Sequence, residues 1–78
     1  MAMVQILLQA THTDDLIMRI TAELHKRGFE IRSFQYEREE DEIARVRIIA
    51  MGDEMRRGQI LRQLNRLSDI EAAAMKAC

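Results

Sequence analysis

Two stretches of the sequence alternate between apolar and polar residues, which is the pattern of a β-strand with one buried face. In the first stretch, the apolar side is made of Val4, Ile6, Leu8 and Ala10. In the second, it is made of Ala44, Val46, Ile48 and Ala50. Apolar residues at helical spacing follow each stretch: first Leu16, Ile17, Ile20 and Leu24, and later Ile60, Leu61, Leu64 and Leu67. The chain therefore contains a strand followed by an amphipathic helix twice.

A further strand is predicted after each helix, which gives two strand–helix–strand units. The predicted strands cover residues 3–10, 29–36, 43–51 and 70–75, and the predicted helices cover residues 13–27 and 53–67. Two such units are typical of the α+β ferredoxin-like sandwich, βαββαβ, with a four-stranded antiparallel sheet in the order 4-1-3-2 and both helices on one face. The alanine-rich fourth segment is assigned to a strand because this fold requires one.

The boundaries of the first helix have recognisable signals. Thr13 is a predicted N-cap, and Asp14 and Asp15 would then lie in the first turn, where the helix dipole favours negative charge. Gly28 follows the last turn and is expected to adopt the left-handed conformation that ends many helices. The chain can then reverse direction into the second strand.

Three irregularities are predicted elsewhere. The apolar side of the second strand changes near Ser33, which indicates a β-bulge or a strand buried on both faces. Residues 37–42 contain five acids and are predicted to form a solvated hairpin tip. Gly58 indicates either that the second helix begins late or that its backbone approaches a neighbour closely.

Composition narrows the class of protein. With 78 residues, the chain is predicted to be one domain, residues 1–78, and so small a domain gains stability from a partner. The net charge of −1 gives no indication of nucleic acid or an acidic membrane as a partner. Cys78 is the single cysteine, which excludes an internal disulfide and fits the reducing cytoplasm; its role is not predicted. We find no membrane span and no signal-peptide pattern.

The sequence contains no recognisable catalytic, cofactor or metal motif. His12 and His25 are separated by more than three helical turns, so we interpret each as a lone exposed histidine rather than as a metal ligand. Residues 11–14, where the first helix is predicted to begin, contain no sulfur for metal carriage. All three aromatic residues fall on the second strand, whereas an RNA-binding sheet of this fold carries them on its central strands. We therefore expect no cofactor, no metal and no nucleic acid.

The second strand is predicted to lie at an edge of the sheet. Its apolar residues Phe29, Ile31 and Phe34 are too many for an edge without a partner. We therefore expect a homodimer in which two copies pair along this edge.

Several segments resemble the ACT domain of the regulatory (small) subunit of acetohydroxyacid synthase, also called acetolactate synthase. The similarity extends over roughly residues 3–76. Residues 27–34 are similar to the helix-to-strand junction of that family. The segment Gly52-Asp53-Glu54 and residues 63–70 are similar to its Gly-Asp-Glu and Gln-Leu-x-Lys-Leu-x-Asp-Val patterns. The resemblance implies an ACT fold and the short, single-domain form of the subunit.

The resemblance also implies a function. Such a chain would be non-catalytic, and would bind and activate a thiamine-diphosphate-dependent catalytic subunit of branched-chain amino-acid synthesis. Many relatives bind valine at the dimer interface, and the corresponding positions here are Thr11, Thr13, Asp14, Asp15 and Glu30. Asp14 replaces the glycine of the family, and Glu30 replaces an asparagine. These two carboxylates predict weak binding of branched-chain amino acids or none.

The surface that would contact the catalytic subunit is predicted on the second helix. Its outer positions carry a polar, arginine-rich ridge: Arg56, Arg62, Gln63 and Arg66. An ordinary solvated helix face explains the same residues equally well. Two other functions remain open: a free-standing ACT dimer that senses a small amino-acid-like ligand and regulates another protein, and, with less support, a small enzyme of ferredoxin-like fold.

Overall fold

The computed structural model describes residues 2–40 and 42–77, and these form a βαββαβ chain. In chain order the elements are β1 (Ala2–Thr11), α1 (Leu16–Lys26), β2 (Glu30–Glu40), β3 (Ile43–Gly52), a 3₁₀ turn (Glu54–Arg56), α2 (Arg57–Arg66) and β4 (Ile70–Ala77). The four strands form one antiparallel sheet in the order β2-β3-β1-β4. This confirms the predicted fold class and strand order. None of the helices described is long and apolar enough to cross a membrane.

The core lies between the sheet and the two helices. The alternating residues of β1 and β3 supply the sheet side, and each is at most 4% exposed: Val4, Ile6, Leu8, Ala10, Ala44, Val46, Ile48 and Ala50. The helices contribute Leu16, Ile20, Leu24, Ile60 and Leu64, all fully buried. Ile17, predicted to belong to the first apolar stripe, is 44% exposed instead. The register places Ile6 opposite Ile48, so the two alternations meet on the same face.

The end of α1 follows the prediction, and its start does not. Gly28 has a φ of +82°, and the N–H groups of Gly28 and Phe29 donate to the carbonyls of His25 and Leu24, which is a Schellman motif. The helix begins at Leu16, so the prediction of Thr13 as N-cap is wrong. The Thr13 hydroxyl donates instead to the Asp15 carboxylate at 3.1 Å.

The second helix begins late, as one of the two interpretations of Gly58 proposed. A 3₁₀ turn precedes α2, and the Asp53 carboxylate accepts a hydrogen bond from the Met55 N–H at 2.9 Å. This bond satisfies a donor that the first turn leaves without a partner. Asp53 therefore has a structural role at the start of this segment.

Strand β2 is longer than predicted and carries two irregularities in its pairing with β3. The register shifts between Ile31 and Ser33, which agrees with the bulge, the first of the two predicted alternatives, and it shifts again between Arg38 and Glu40. The acidic residues from 37 to 40 continue the strand rather than forming the predicted hairpin tip. Pairing with the arginines of β3 explains this, because Glu37 lies opposite Arg45 and Glu39 forms an ion pair with Arg45 at 2.9 Å. Asp41 lies outside the described residues.

Gly52, at the end of β3, makes room for an aromatic side chain. A Cβ placed on Gly52 would lie 2.4 Å from Cδ2 of Phe29, closer than carbon atoms can approach. The Phe29 ring is 4% exposed and belongs to the core. The glycine is therefore required for the packing of Phe29 against the end of β3.

We expect Gly52→Ala to lower the free energy of unfolding by about 1–3 kcal/mol, because the added methyl group must displace the buried Phe29 ring. Urea denaturation measures this change. Gly58→Ala is the matched control, since its Cβ would lie 3.8 Å from Nη1 of the flexible Arg62 side chain, an ordinary van der Waals contact. Within α2 this substitution should raise stability by up to about 1 kcal/mol. Equal effects of the two substitutions would contradict the packing account.

Candidate effector site and interaction surfaces

The loop between β1 and α1 is held by contacts to three other parts of the fold. The Thr11 N–H donates to the Asp69 carbonyl at 2.8 Å, and the His12 N–H donates to the Glu42 carbonyl. Nδ1 of His12 and the Tyr36 hydroxyl share a hydrogen bond of 2.5 Å, with the two rings edge to face at 5.7 Å. Burial raises the pKa of Tyr36 above its ordinary value. The loop is therefore fixed against edge strand β2.

This placement corrects the interpretation of His12 as a lone exposed histidine. His12 is half-buried and paired, whereas His25 is exposed as expected. The partner Tyr36 lies 24 residues away along the chain, and no local sequence signal joins the two. No group of three or more potential metal ligands occurs within residues 2–40 and 42–77.

Arg19 ties the loop to the segment between α2 and β4. Its guanidinium forms an ion pair with Asp69, a second with Asp15 at 3.3 Å, and a hydrogen bond to the Thr13 hydroxyl at 3.2 Å. The hydrogen bond to Asp69 is the main reason why the pKa of Arg19 is raised above its ordinary value. Thr13 and Asp15 are thus occupied by structural contacts, while Asp14 is exposed.

Glu30, the remaining residue of the predicted ligand site, lies at the other end of the sheet. It pairs with Met51, which in turn pairs with Met3, whereas Thr11 pairs with Ile43. The eight residues from Met3 to Thr11 along β1 correspond to about 26 Å. Within one chain, the loop and Glu30 therefore cannot contact the same small ligand. Glu30 forms an exposed ion pair with Arg32 at 2.9 Å.

The surface formed by α1 and the edge of β2 carries exposed apolar groups. Met18 is 67% exposed and Ile17 44% exposed. A cleft of about 450 Å³ lies between α1 and β2, and its lining includes Met18 and Ile31. Of the three residues predicted for a dimer interface, Ile31 and Phe34 are half-buried, whereas Phe29 is already enclosed by its own chain. We refer to α1 and the free edge of β2 together as the edge surface.

The arginine ridge predicted on the second helix is smaller than expected. Nη1 of Arg56 donates to the Arg27 carbonyl at 3.2 Å, so Arg56 connects the start of α2 to the end of α1. Gln63 is half-buried. Arg62 and Arg66 are exposed and lie one helical turn apart. Arg56 is exposed as well, but its guanidinium contacts the end of α1, so Arg62 and Arg66 are the ridge residues proposed below for recognition.

The sheet face opposite the helices forms a shallow groove of about 560 Å³ that was not predicted from the sequence. Leu7 lies at its centre, with Arg45 and Arg47 on one side and Ala72 and Ala74 on the other. The alternation that buries Val46 and Ile48 points Arg45 and Arg47 to this face, so the sequence did contain the signal.

Comparison with known proteins gives a structural similarity but no sequence relative. No family model matches the chain, and no curated protein matches it. Among solved structures, the ACT domain of a GTP pyrophosphokinase from Chlorobium tepidum matches with a TM-score of 0.75 and 11% identity, covering 96% of this chain and 97% of that one. The C-terminal domain of the MgtC protein from Mycobacterium tuberculosis matches with a TM-score of 0.78 and 10% identity, covering 99% and 87%.

The small subunit of acetolactate synthase from Thermotoga maritima matches with a TM-score of 0.81 and 18% identity. The match covers 96% of this chain and 47% of that subunit, so the chain corresponds to about half of its length. At identities this low, the structural similarity establishes the fold alone, because proteins of different function share folds. The chain thus has the βαββαβ ferredoxin-like fold of ACT domains.

Proposed function

We propose that this chain is a non-catalytic regulatory subunit that binds and activates a thiamine-diphosphate-dependent catalytic subunit of acetolactate synthase. The similarity of its fold to the Thermotoga maritima small subunit, over 96% of the chain, is the observation that carries the proposal. The segments around Gly52-Asp53-Glu54 and residues 63–70, which resemble the same family, support it independently. Such a subunit would act in the cytoplasm, where its single cysteine would stay reduced.

The residues that carry the resemblance mostly hold the fold together. Gly52 accommodates Phe29, Asp53 accepts the Met55 N–H, and Asp69 binds Arg19. These contacts give the motif residues a structural role in this fold. They leave few motif residues available to contact another protein. Arg66 is exposed within the motif, and Arg62 lies beside it. Recognition of the catalytic subunit is therefore proposed to use these two arginines.

The regulatory unit is proposed to be a homodimer formed through the edge surface. Edge strand β2 presents backbone donors and acceptors along its outer side, and an open edge of this length readily pairs with another strand. Exposed Met18 and Ile17 lie on the adjacent helix. Antiparallel pairing of two β2 strands would also bring Glu30 of one copy toward the β1–α1 loop of the other. A composite effector site of this kind would place the β1–α1 loop of one copy near Glu30 of the other, although the two lie about 26 Å apart within one chain.

We expect the wild-type chain to sediment as a dimer at micromolar concentration. Met18→Glu should weaken the dimer by about tenfold or more, because the interface would bury an unpaired carboxylate. Met55→Glu is the matched control, since Met55 is 91% exposed on the 3₁₀ turn and belongs to neither α1 nor β2. A folded wild-type monomer, or equal weakening by both substitutions, would contradict the proposed interface. Phe29→Glu is unsuitable as a test because it would disrupt the core.

Valine, leucine and isoleucine are expected to bind more weakly than about 1 mM or not at all, because Asp14 and Glu30 would repel the ligand carboxylate. Isothermal titration calorimetry with each amino acid measures this. Asp14→Gly combined with Glu30→Asn removes both charges and should increase affinity for at least one of the three. A micromolar Kd for the wild-type chain would contradict the proposed repulsion.

Charge reversal at Arg62→Glu with Arg66→Glu should abolish activation of the catalytic subunit, while thermal stability and dimerisation stay nearly unchanged, since exposed charges contribute little to stability. Reconstituted acetolactate formation is the measurement. Arg47→Glu with Lys76→Glu makes the same change in net charge on the opposite sheet face and should leave activation intact. If the control pair alone abolished activation, the docking surface would be that sheet face instead of α2.

A free-standing ACT-type sensor that regulates another protein is the alternative. The β1–α1 loop is held in place against β2, as a ligand-binding loop needs to be. A dimer that binds an effector at this loop could act without a catalytic partner, which favours the alternative. A dimer that binds a small amino-acid-like ligand yet neither binds nor activates the catalytic subunit would support this alternative.

A further inference from the structure

Asp69 supplies two acceptors to the loop between β1 and α1. Its backbone carbonyl accepts the Thr11 N–H at 2.8 Å, and its carboxylate binds the guanidinium of Arg19. Nη2 of Arg19, which makes the contact to Asp69, also donates to the Thr13 hydroxyl at 3.2 Å. One nitrogen of a single guanidinium therefore joins the loop to the segment between α2 and β4.

The position of Arg19 is set by its helix and not by the loop. Arg19 lies on α1 directly before Ile20, which is fully buried in the core. The hydrogen bond to Asp69 is the main reason why the pKa of Arg19 is raised, so Asp69 stabilises the guanidinium more than Asp15 does. Arginine stays charged and binds carboxylates through its planar fork. The guanidinium would thus remain a carboxylate-binding group if the Asp69 side chain were removed.

Solvent reaches this contact. The side chain of Asp69 is 22% exposed, and that of Arg19 is 31% exposed. The backbone around Asp69 has its own support, because the Ile70 N–H donates to the Leu67 carbonyl at 3.0 Å. Loss of the Asp69 carboxylate would therefore leave the local backbone in place and expose the guanidinium to small anions from solution.

We propose that Arg19 forms a carboxylate-binding site beside the β1–α1 loop, and that Asp69 of the same chain occupies this site in place of a free ligand. The loop is held by this internal carboxylate, so its conformation needs no added effector. A small free carboxylate is the ligand that the site takes once the Asp69 side chain is removed. The inference rests on contacts within one chain and does not depend on the proposed function.

Tyr36 provides a signal for the loop, because it is the only tyrosine of a chain without tryptophan and its hydroxyl bonds to His12 within the loop. Near-ultraviolet circular dichroism follows this side chain, and thermal unfolding gives Tm. Asp69→Ala removes the carboxylate and keeps the backbone carbonyl that accepts the Thr11 N–H. We expect this substitution to lower Tm by about 4–8 °C and to change the Tyr36 signal.

Acetate is the probe for the site. Added to Asp69→Ala, it should raise Tm saturably, recover at least about half of the loss, and return the Tyr36 signal toward the wild-type value. Sodium chloride at the same ionic strength should do neither, since it screens charges without replacing the carboxylate. Acetate should have no greater effect than chloride on the wild-type chain, on Arg19→Met combined with Asp69→Ala, or on Asp53→Ala. Asp53 is the matched control because its carboxylate accepts a backbone N–H, that of Met55.

Three results would overturn the proposal. An acetate effect on Asp69→Ala no larger than that of chloride would show that the guanidinium takes no free carboxylate. An equal acetate effect on the double variant would place the bound anion elsewhere than on Arg19, and an equal effect on the wild-type chain would show that Asp69 does not occupy the site. Asp69→Ser, with the same expectations, replaces Asp69→Ala if that variant does not fold. Failure of the chain to activate the synthase would overturn the proposed function and leave each of these results unchanged.

Discussion

The register of β1 against β3 is the constraint on which the rest of the structure depends. Ile6 lies opposite Ile48, and Leu8 lies opposite Val46, so the buried residues of both central strands meet the helices on one face. A shift by one residue would turn Gln5 or Arg47 into the core, where an unpaired amide or guanidinium is costly. Because this face is covered by α1 and α2, the outer sides of the two helices, the opposite face of the sheet and its two edges remain available for contacts with other molecules.

Local patterns were sufficient to predict most of the fold. Alternation identified β1 and β3, helical spacing identified both helices, and Gly28 marked the end of α1 because the left-handed conformation favours glycine. The change of apolar side near Ser33 indicated the irregularity that the register of β2 shows. These signals act over a few residues, and the strand order then follows from the small number of ways in which two strand–helix–strand units can pack.

The errors arose where contacts join distant parts of the chain. Thr13 was predicted as an N-cap, but its side chain lies in the network of Arg19, whose partner Asp69 is 50 residues away. His12 has no local signal that indicates its bond to Tyr36. The separation of Glu30 from the β1–α1 loop likewise depends on the direction of β2 in the sheet. Each of these features of the candidate site can be recognised only in the tertiary structure.

The proposed regulatory role depends on recognition of a catalytic subunit by this small domain, and one measurement tests it most directly. The rate of acetolactate formation by the thiamine-diphosphate-dependent catalytic subunit from the same organism is measured while the wild-type chain is added. We predict a saturable increase in rate, with co-sedimentation of the two proteins over the same concentration range. An unchanged rate with no co-sedimentation would contradict the proposed function.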